Sequence, residues 1–216
     1  CKAGGNVITF IQKFKNFSFP ETIKYLSNYL GIDFVYEDSE KFNLNTKLYR
    51  ILNLANDLFV KNLKTNNYAI NYLKSRKINL ESIDKFQIGF CPNDEKVINY
   101  FSDFGISLED LKKTDLFINK EDNNFFGRFK ERITFPIFNY SNKIVAFGAR
   151  SLGASKIKYI NSQESSIFKK SEILFGLTQN YEVIKKNREL ILVEGYMDVI
   201  SMYQNNFKCA LSPMGT

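Results

Sequence analysis

The run Glu189–Asp198 constrains the fold of this chain more than any other segment. Leu190–Val193 are four consecutive large apolar residues, a pattern typical of a buried strand in a parallel sheet with both faces covered. Glu194 and Gly195 follow, and apolar residues then recur at helical spacing as far as Tyr203. Because ligands and metals collect at the carboxyl ends of strands in open α/β sheets, the run predicts a ligand site at Glu194. The structural alternative is a surface glutamate that ends a strand.

Two kinds of periodicity organise the rest of the chain. A long amphipathic helix is predicted by apolar residues that share one face, namely Leu48, Ile51, Leu52, Ala55, Leu58, Phe59 and Leu63. Residues 132–138 and 144–148 flank the polar segment Tyr140–Lys143 and predict a β-hairpin. From about Leu174 the order helix, strand, helix, strand predicts crossover connections and a parallel sheet. The fold class is therefore α+β, with a helical and hairpin part followed by an α/β part.

The N-terminal region predicts two further helices. Ser18 and Glu21 form a capping box that begins the second helix, and Gly31 ends it. Residues 36–46 are polar and charged, which is typical of a linker. The chain starts without an initiator methionine and stops just after an apolar run, so we expect it to be a piece of a longer protein.

The charge balance favours a polyanionic partner. Lys and Arg number 30 against 23 Asp and Glu, a formal net charge of +7, which suits nucleic acid or nucleotide phosphates. Between residues 128 and 170 the basic residues alternate with aromatic ones. On a hairpin strand Arg128, Lys130 and Arg132 would point to one side and track a single-stranded nucleic acid. The alternatives are charge that serves solubility and an ordinary solvated sheet face over an aromatic core.

Cysteine and histidine usage limits the metal chemistry and the compartment. The three cysteines lie far apart and there is no histidine. An unpaired thiol argues against a secreted disulfide framework and for a reducing cytoplasm. We expect neither a membrane span nor a signal peptide. With no histidine and no CxxC pair, a complete zinc site cannot be built from this chain alone.

Several segments, taken together and in order, resemble the bacterial DnaG-type DNA primase family. The resemblance is carried by Cys1–Phe14, Phe126–Ile137, Ala146–Arg150, Lys158–Ser162, Phe168–Lys170, Val193–Asp198 and Met214–Thr216. It implies that residues 1–35 end a zinc-binding domain and that 36–46 are a linker. It further implies that 47–170 form the N-terminal, template-binding subdomain of the catalytic core, and that 171–216 begin a Toprim fold.

The resemblance also implies roles for individual residues. Cys1 resembles the last of four zinc ligands, with its partners upstream. Glu194 resembles the Toprim glutamate that positions Mg²⁺ or Mn²⁺ and the reacting hydroxyl, and Asp198 belongs to the same acidic cluster. The positions that hold single-stranded template or incoming triphosphate in the family correspond to Arg128, Lys130, Arg132, Arg150, Lys158, Asn161 and Lys170.

The implied activity is primer synthesis, in which a DNA-dependent RNA polymerase makes short RNA primers by metal-assisted nucleotidyl transfer. Its implied partners are single-stranded DNA, nucleoside triphosphates, the RNA primer, and a replicative helicase bound through a C-terminal region. The family's Asp-x-Asp metal pair would lie beyond Thr216, so we expect this segment alone to be inactive. The competing hypotheses are another Toprim protein, such as a topoisomerase or nuclease, and a non-catalytic nucleic-acid-binding module.

Overall fold

The structure is a computed structural model that describes residues 4–32, 39–119, 125–153 and 155–214, with the backbone alone for residues 39–43. The chain divides into two compact units, Cys1–Lys47 and Leu48–Thr216. Over the part of the chain that is described, no helix combines the length and the apolar composition needed to cross a membrane.

The first unit contains the two predicted N-terminal helices. Helix α1 (Val7–Lys15) begins at Asn6, whose side chain accepts a hydrogen bond from the Thr9 amide, and α2 (Phe19–Leu30) begins with the predicted capping box of Ser18 and Glu21. Gly31 ends α2 at a φ of 64°, a left-handed conformation that suits glycine. The predicted start and end of α2 are confirmed, because they depend on capping chemistry between residues close in sequence.

Helix α3 (Ser39–Thr65) is the long amphipathic helix, and it also includes residues 39–46 of the segment predicted as a linker. Its predicted core face is confirmed, since every one of those apolar residues is at most 5% exposed: Leu48, Ile51, Leu52, Ala55, Leu58, Phe59 and Leu63. Burial of this stripe supplies most of the stability of such a helix.

Shorter helices follow α3 in the second unit: α4 (Asn67–Ser75), α5 (Leu80–Lys85), α6 (Asp94–Ser102) and α7 (Leu108–Lys113). All four begin at an Asn or Ser whose side chain accepts a hydrogen bond from the backbone two or three residues into the helix. Strand β1 (Gly89–Phe90) lies between α5 and α6.

The central sheet has four antiparallel strands in the order β1-β4-β5-β6. The predicted hairpin is confirmed as β4 (Arg132–Phe138) and β5 (Ile144–Ser151), and β6 (Tyr159–Asn161) adds the outer edge. Strands β2 (Phe117–Asn119) and β3 (Phe125–Gly127) form a separate small ribbon.

The expected alternation of Arg128, Lys130 and Arg132 along one strand is wrong. Strand β3 ends at Gly127 and β4 begins at Arg132, so residues 128–131 form a turn. Glu131 in this turn has a φ of 54°, which is incompatible with an extended strand. The basic residues of this segment therefore point in directions set by the turn.

The central sheet is covered on both faces by apolar side chains. On β4, Ile133, Phe135 and Ile137 belong to one buried cluster, while Phe147 and Ala149 of β5 belong to another that includes most of the core face of α3. Because neighbouring side chains of a strand point to opposite faces, the two clusters lie on the two sides of the sheet. The candidate-site residues of β5 and β6 described below extend from the first of these faces.

The C-terminal part is a three-stranded sheet of order β7-β9-β8, with helices α8 (Leu177–Asn187) and α9 (Tyr196–Gln204). Strand β8 (Ile191–Leu192) pairs in parallel with β9 (Ala210–Pro213), as the alternating pattern predicted, and β7 (Leu174–Phe175) is antiparallel to β9. The expectation that both faces of the Leu190–Val193 strand are covered is wrong for the described residues. Leu190 and Leu192 are 52% and 62% exposed, and β8 is at the edge of the described three-stranded sheet.

Candidate nucleotide and nucleic-acid site

A cleft of about 580 Å³ lies where the N-terminus of α9 meets the end of α4 and the edge of the central sheet. Its walls come from elements far apart in sequence, and they carry both signs of charge. The polar side chains that line it are Arg76, Arg150, Tyr159, Asn161, Glu194, Asp198, Ser201 and Ser212.

Tyr196 seats α9 on the central sheet beneath this cleft. Phe135, Gly148 and Asn161 are direct partners across β4, β5 and β6, so they form one row on one face. The Tyr196 ring stacks on Phe135 with 5.2 Å between centroids, and it covers Gly148 so closely that a Cβ there would lie 2.4 Å from Cζ of Tyr196. Glycine at position 148 therefore makes room for the ring.

The Tyr196 hydroxyl continues into a hydrogen-bonded chain. It donates to Oδ1 of Asn161 at 2.6 Å, and Nδ2 of Asn161 donates to the Met214 carbonyl at 3.1 Å. Burial raises the pKa of Tyr196 well above its ordinary value, so the phenol keeps its proton and remains a donor. Asn161 thus connects β6 to the helix that follows Glu194 and to the end of β9.

The opposite end of α9 is also anchored to the body of the unit. Nε2 of Gln204 donates to the Lys77 carbonyl at 2.7 Å, and Oε1 of Gln204 accepts from the Asn79 amide at 3.2 Å. Tyr203 packs edge-on against Phe86 with 5.2 Å between centroids. Helix α9 is therefore held at both ends, which fixes the position of the loop that precedes it.

Arg150 is the most heavily contacted cation of the cleft. It lies opposite Tyr159 in the β5–β6 pair, on the same face as Gly148. Its Nε donates to the Tyr72 hydroxyl, and one terminal nitrogen donates to the Tyr159 hydroxyl. Burial acts to lower the pKa of Arg150, but the two phenol oxygens outweigh it and the pKa is raised, so the charge is permanent.

Arg76, at the end of α4, is a cleft residue that the sequence reasoning missed. It is exposed, and its guanidinium carbon lies 5.5 Å from the centroid of the Tyr72 ring. The signal in the sequence was an aromatic residue and an arginine four positions apart on one helix face. We call Arg76, Arg150, Tyr159 and Asn161 the cationic wall.

Glu194 and Asp198 form what we call the acidic edge of the cleft. Glu194 follows β8, and Asp198 occupies the first turn of α9, where a negative charge is favoured by the helix dipole. Both side chains are exposed, and neither accepts a hydrogen bond or forms an ion pair within the described ranges. Among those residues no three Asp, Glu, Cys or His side chains come together.

The other basic residues predicted to bind nucleic acid do not line this cleft. Nε of Arg128 lies 2.6 Å from Oδ2 of Asp115, and the same oxygen accepts from the Gln163 amide at 2.8 Å. Lys130 forms a longer ion pair, with its Nζ 3.9 Å from Oδ2 of Asp94. Arg128 thus contributes to the local structure, whereas the Lys130 side chain is about half exposed.

Arg132, Lys158 and Lys170 lie near the β5–β6 connection and the segment after β6. Arg132 donates to the carbonyls of Ile157 and Lys158 at 3.1 and 3.5 Å, and burial lowers its pKa. The Lys158 side chain is exposed. Lys170 begins a short 3₁₀ turn, Lys170–Glu172, and its amide donates to Glu164. Cys1, the predicted zinc ligand, lies outside the described residues.

Comparisons with known proteins give the class of this architecture. Residues 58–181 match the family model of the DNA primase catalytic core, N-terminal domain, and residues 1–42 match that of the CHC2 zinc finger. The DNA primase of Rickettsia felis is 37% identical over 219 residues, which covers 100% of this chain and 36% of that protein.

Two solved structures are similar as well. The zinc binding and RNA polymerase domains of the Aquifex aeolicus primase superpose with a TM-score of 0.76 at 30% identity, covering 99% of this chain and 52% of that one. The RNA polymerase domain of Mycobacterium tuberculosis primase DnaG, in complex with a double-stranded DNA oligomer with an overhang, gives 0.72 at 28% identity, covering 79% and 55%.

The helices and antiparallel sheet that surround the cleft are thus those of a primase catalytic core. The chain belongs to the DnaG-type DNA primase family, since the family model covers more than half of it. It spans about a third of the length of the curated relatives that it matches.

Proposed function

We propose that this chain is the N-terminal part of a DNA primase, which synthesises short RNA primers on single-stranded DNA. The observation that supports this most directly is the cleft in which the cationic wall and the acidic edge meet. Nucleotidyl transfer depends mainly on positioning phosphate groups and neutralising their charge. Arginines that bind phosphate oxygens beside carboxylates that bind a cation provide both functions in one place.

The acidic edge has the chemistry of a Mg²⁺ or Mn²⁺ ligand set. Hard cations take carboxylate oxygens and often use only one or two of them, together with water and substrate phosphates. Glu194 and Asp198 are exposed and have no charge partner in the described chain, so they fit a single ion of this kind. A bound divalent cation would supply Lewis-acid neutralisation of phosphate charge. A second ion would require carboxylates from outside the described residues, such as the expected Asp-x-Asp pair.

The chain's own residues then have separate roles in the proposed reaction. Arg150 and Arg76 bind phosphate groups of the incoming triphosphate or of the template. Asn161 positions the loop that carries Glu194, because its side chain accepts a hydrogen bond from Tyr196 and donates one to the Met214 carbonyl at the end of β9. The remaining N–H groups of Arg150, those not used by the tyrosines, are available to phosphate oxygens.

The template track is proposed to continue over Lys130, Lys158 and Lys170. Lys130 and Lys158 are exposed, as expected for side chains that meet a polyanion in solvent. Arg128 and Arg132 would contribute through their local field, because their guanidinium groups already bind Asp115 and backbone carbonyls. The predicted signature is binding that weakens steeply as salt rises.

The remaining parts of the proposal concern partners and the N-terminal region. The match of residues 1–42 to a zinc finger family supports zinc as the metal of that region, with Cys1 as one proposed ligand. Nucleoside triphosphates, the RNA primer and a replicative helicase are the proposed partners, the last through a C-terminal region, and the proposed compartment is the bacterial cytoplasm.

A primer-synthesis assay on single-stranded DNA with Mg²⁺ tests the proposal in the full-length protein. We expect Glu194→Gln, which keeps the shape and removes the charge, to lower RNA synthesis by about 100-fold, a typical loss for a group that stabilises transition-state charge. The matched control is Glu182→Gln, an exposed glutamate of α8 that does not line the cleft.

Two results would contradict parts of this proposal. RNA synthesis by Glu194→Gln at a rate near that of the wild type would exclude the assigned role of Glu194. Tight binding of single-stranded DNA with no RNA synthesis by the wild type under any divalent cation would favour the non-catalytic binding module.

A further inference from the structure

Tyr72 of α4 contacts both arginines of the cationic wall. Its hydroxyl accepts a hydrogen bond from Nε of Arg150, and its ring centroid lies 5.7 Å from the guanidinium carbon of Arg150. The guanidinium carbon of Arg76, one helical turn further along α4, lies 5.5 Å from the same centroid. One phenol therefore contacts two guanidinium groups that belong to different elements of the fold.

Tyr72 is placed to act through these arginines rather than on a ligand. It is half-buried and packs against the apolar cluster that contains Phe135 and Tyr196. It is absent from the residues that line the cleft, whereas Arg76 and Arg150 both line it. A ligand in the cleft would thus meet the arginines directly and would sense Tyr72 through their position.

The physical need for such a residue follows from like charge and side-chain entropy. Two arginines on one wall repel each other, and each has many rotamers that a phosphate ligand must freeze on binding. The negative face of an aromatic ring attracts guanidinium groups, and a phenol oxygen fixes the plane of one of them. A guanidinium fixed in advance loses less freedom when it binds phosphate oxygens.

We propose that Tyr72 is a positioning residue that holds Arg76 and Arg150 together as a paired phosphate-binding element. The inference rests on the proposed function for the identity of the ligand, whose phosphates come either from a nucleoside triphosphate or from template DNA. Tyr159 fixes the second edge of the Arg150 guanidinium, with the guanidinium carbon 4.6 Å from its ring centroid. Tyr72 alone connects Arg150 to Arg76 among the residues that the structure describes.

The test is equilibrium binding by the full-length protein of two probes, MgATP and an oligothymidylate, measured separately. Tyr72→Phe keeps the ring and its packing and removes only the hydroxyl. We expect it to weaken binding of at least one probe by about fivefold, the loss typical of one hydrogen bond to a charged group that acts indirectly. The probe that is affected identifies the source of the phosphate. Tyr181→Phe, an exposed tyrosine on α8, is the matched control and should bind like the wild type.

A double-mutant cycle separates positioning from a general structural effect. In an Arg150→Ala background, Tyr72→Phe should cause no further loss, because the group it positions is gone. The inference would be overturned if the affinity losses of the two single variants added in the double variant. It would also be overturned if Tyr72→Phe bound both probes as tightly as the wild type does, or if the wild type bound neither probe. Primer synthesis is not part of this readout. A wild type that makes no RNA while the cycle shows coupling would refute the proposed function alone.

Discussion

The two sides of the cleft are held in different ways. On the cationic wall, Arg150 binds two phenol oxygens and Asn161 binds Tyr196 and the Met214 carbonyl. On the acidic edge, Glu194 and Asp198 are exposed and have no hydrogen-bond or ionic partner among the residues that the structure describes. The backbone that carries the acidic edge is nevertheless fixed, through Tyr196 and Gln204 at the two ends of α9.

This difference matches what each side binds under the proposed function. Side chains that are fixed by the protein lose little entropy when a ligand arrives, which suits repeated binding of phosphate groups in one orientation. Carboxylates that stay solvated on a fixed backbone keep their oxygens available for a hydrated cation. Under the proposed function, the protein therefore fixes its cations before the ligand binds, and a bound metal ion neutralises its carboxylates.

The position of the acidic edge depends first on the packing of the Tyr196 ring over Gly148, so Gly148→Ala should have the largest effect on stability. The added Cβ would lie 2.4 Å from Cζ of Tyr196, and the central strand beneath it cannot retreat. We expect a loss of about 3 kcal/mol in the free energy of unfolding, which is at the upper end for overpacking. Urea unfolding of the full-length protein, followed by circular dichroism, measures it.

The control for this prediction is Gly153→Ala, where an added Cβ has nothing within 4 Å. That variant should unfold at the wild-type urea concentration. If Gly148→Ala were equally neutral, Tyr196 would have to occupy another position, and its ring would not couple the central sheet to the acidic edge.

Much of the architecture was predictable because it depends on periodicity and local capping. The buried face of α3, the β4–β5 hairpin and the α9 bounds Tyr196–Gln204 all follow from spacing within one segment. The very short strands β1 and β7 were not predicted, because a pair of residues carries no alternation. Their conformation comes from pairing with β4 and β9.

The candidate site was predictable only in part. Arg150, Asn161, Glu194 and Asp198 were singled out from the sequence, and the structure places all four on one cleft. Arg76 and Tyr72 were missed, since they lie on a helix whose amphipathic pattern gives no sign of where its exposed end points. The exposure of Leu192 was missed because an apolar run reads as buried, while coverage of a strand depends on elements remote in sequence.

Asn161→Ala tests the hydrogen-bonded connection between the cationic wall and the acidic edge, and we expect a smaller loss of stability than for Gly148→Ala. It removes the acceptor of the buried Tyr196 hydroxyl and the donor to the Met214 carbonyl. Because a buried polar group left without its partner costs more than an average hydrogen bond contributes, we expect a loss of about 2 kcal/mol. The same urea experiment applies, with Asn71→Ala on the exposed face of α4 as a control that should stay within about 0.5 kcal/mol of the wild type. Equal stability of the two variants would mean that the hydrogen-bonded chain does not join the walls.

The smallest effect should come from Tyr196→Phe, and its pH dependence identifies its origin. At neutral pH we expect a loss of about 1 kcal/mol, the contribution of one hydrogen bond. Burial raises the pKa of Tyr196 in the folded state above the ordinary value of 10.0, so the phenol ionises first in the unfolded chain. The stability that Tyr196 contributes is therefore complete below pH 10 and falls as the pH rises toward the folded pKa.

Above pH 10 the wild type should accordingly lose stability faster than Tyr196→Phe, and the difference between them should narrow. Cys91 also has a raised pKa, because its thiol is buried and lies near Asp94, but it is present in both proteins and cancels in the comparison. Urea midpoints at a series of alkaline pH values measure the difference directly. If the difference in urea midpoint between the wild type and Tyr196→Phe were the same at every pH, the phenol would be solvated in the folded state. In that case only the packing of the Tyr196 ring on Gly148, and no hydrogen bond from its hydroxyl, would fix the position of the acidic edge.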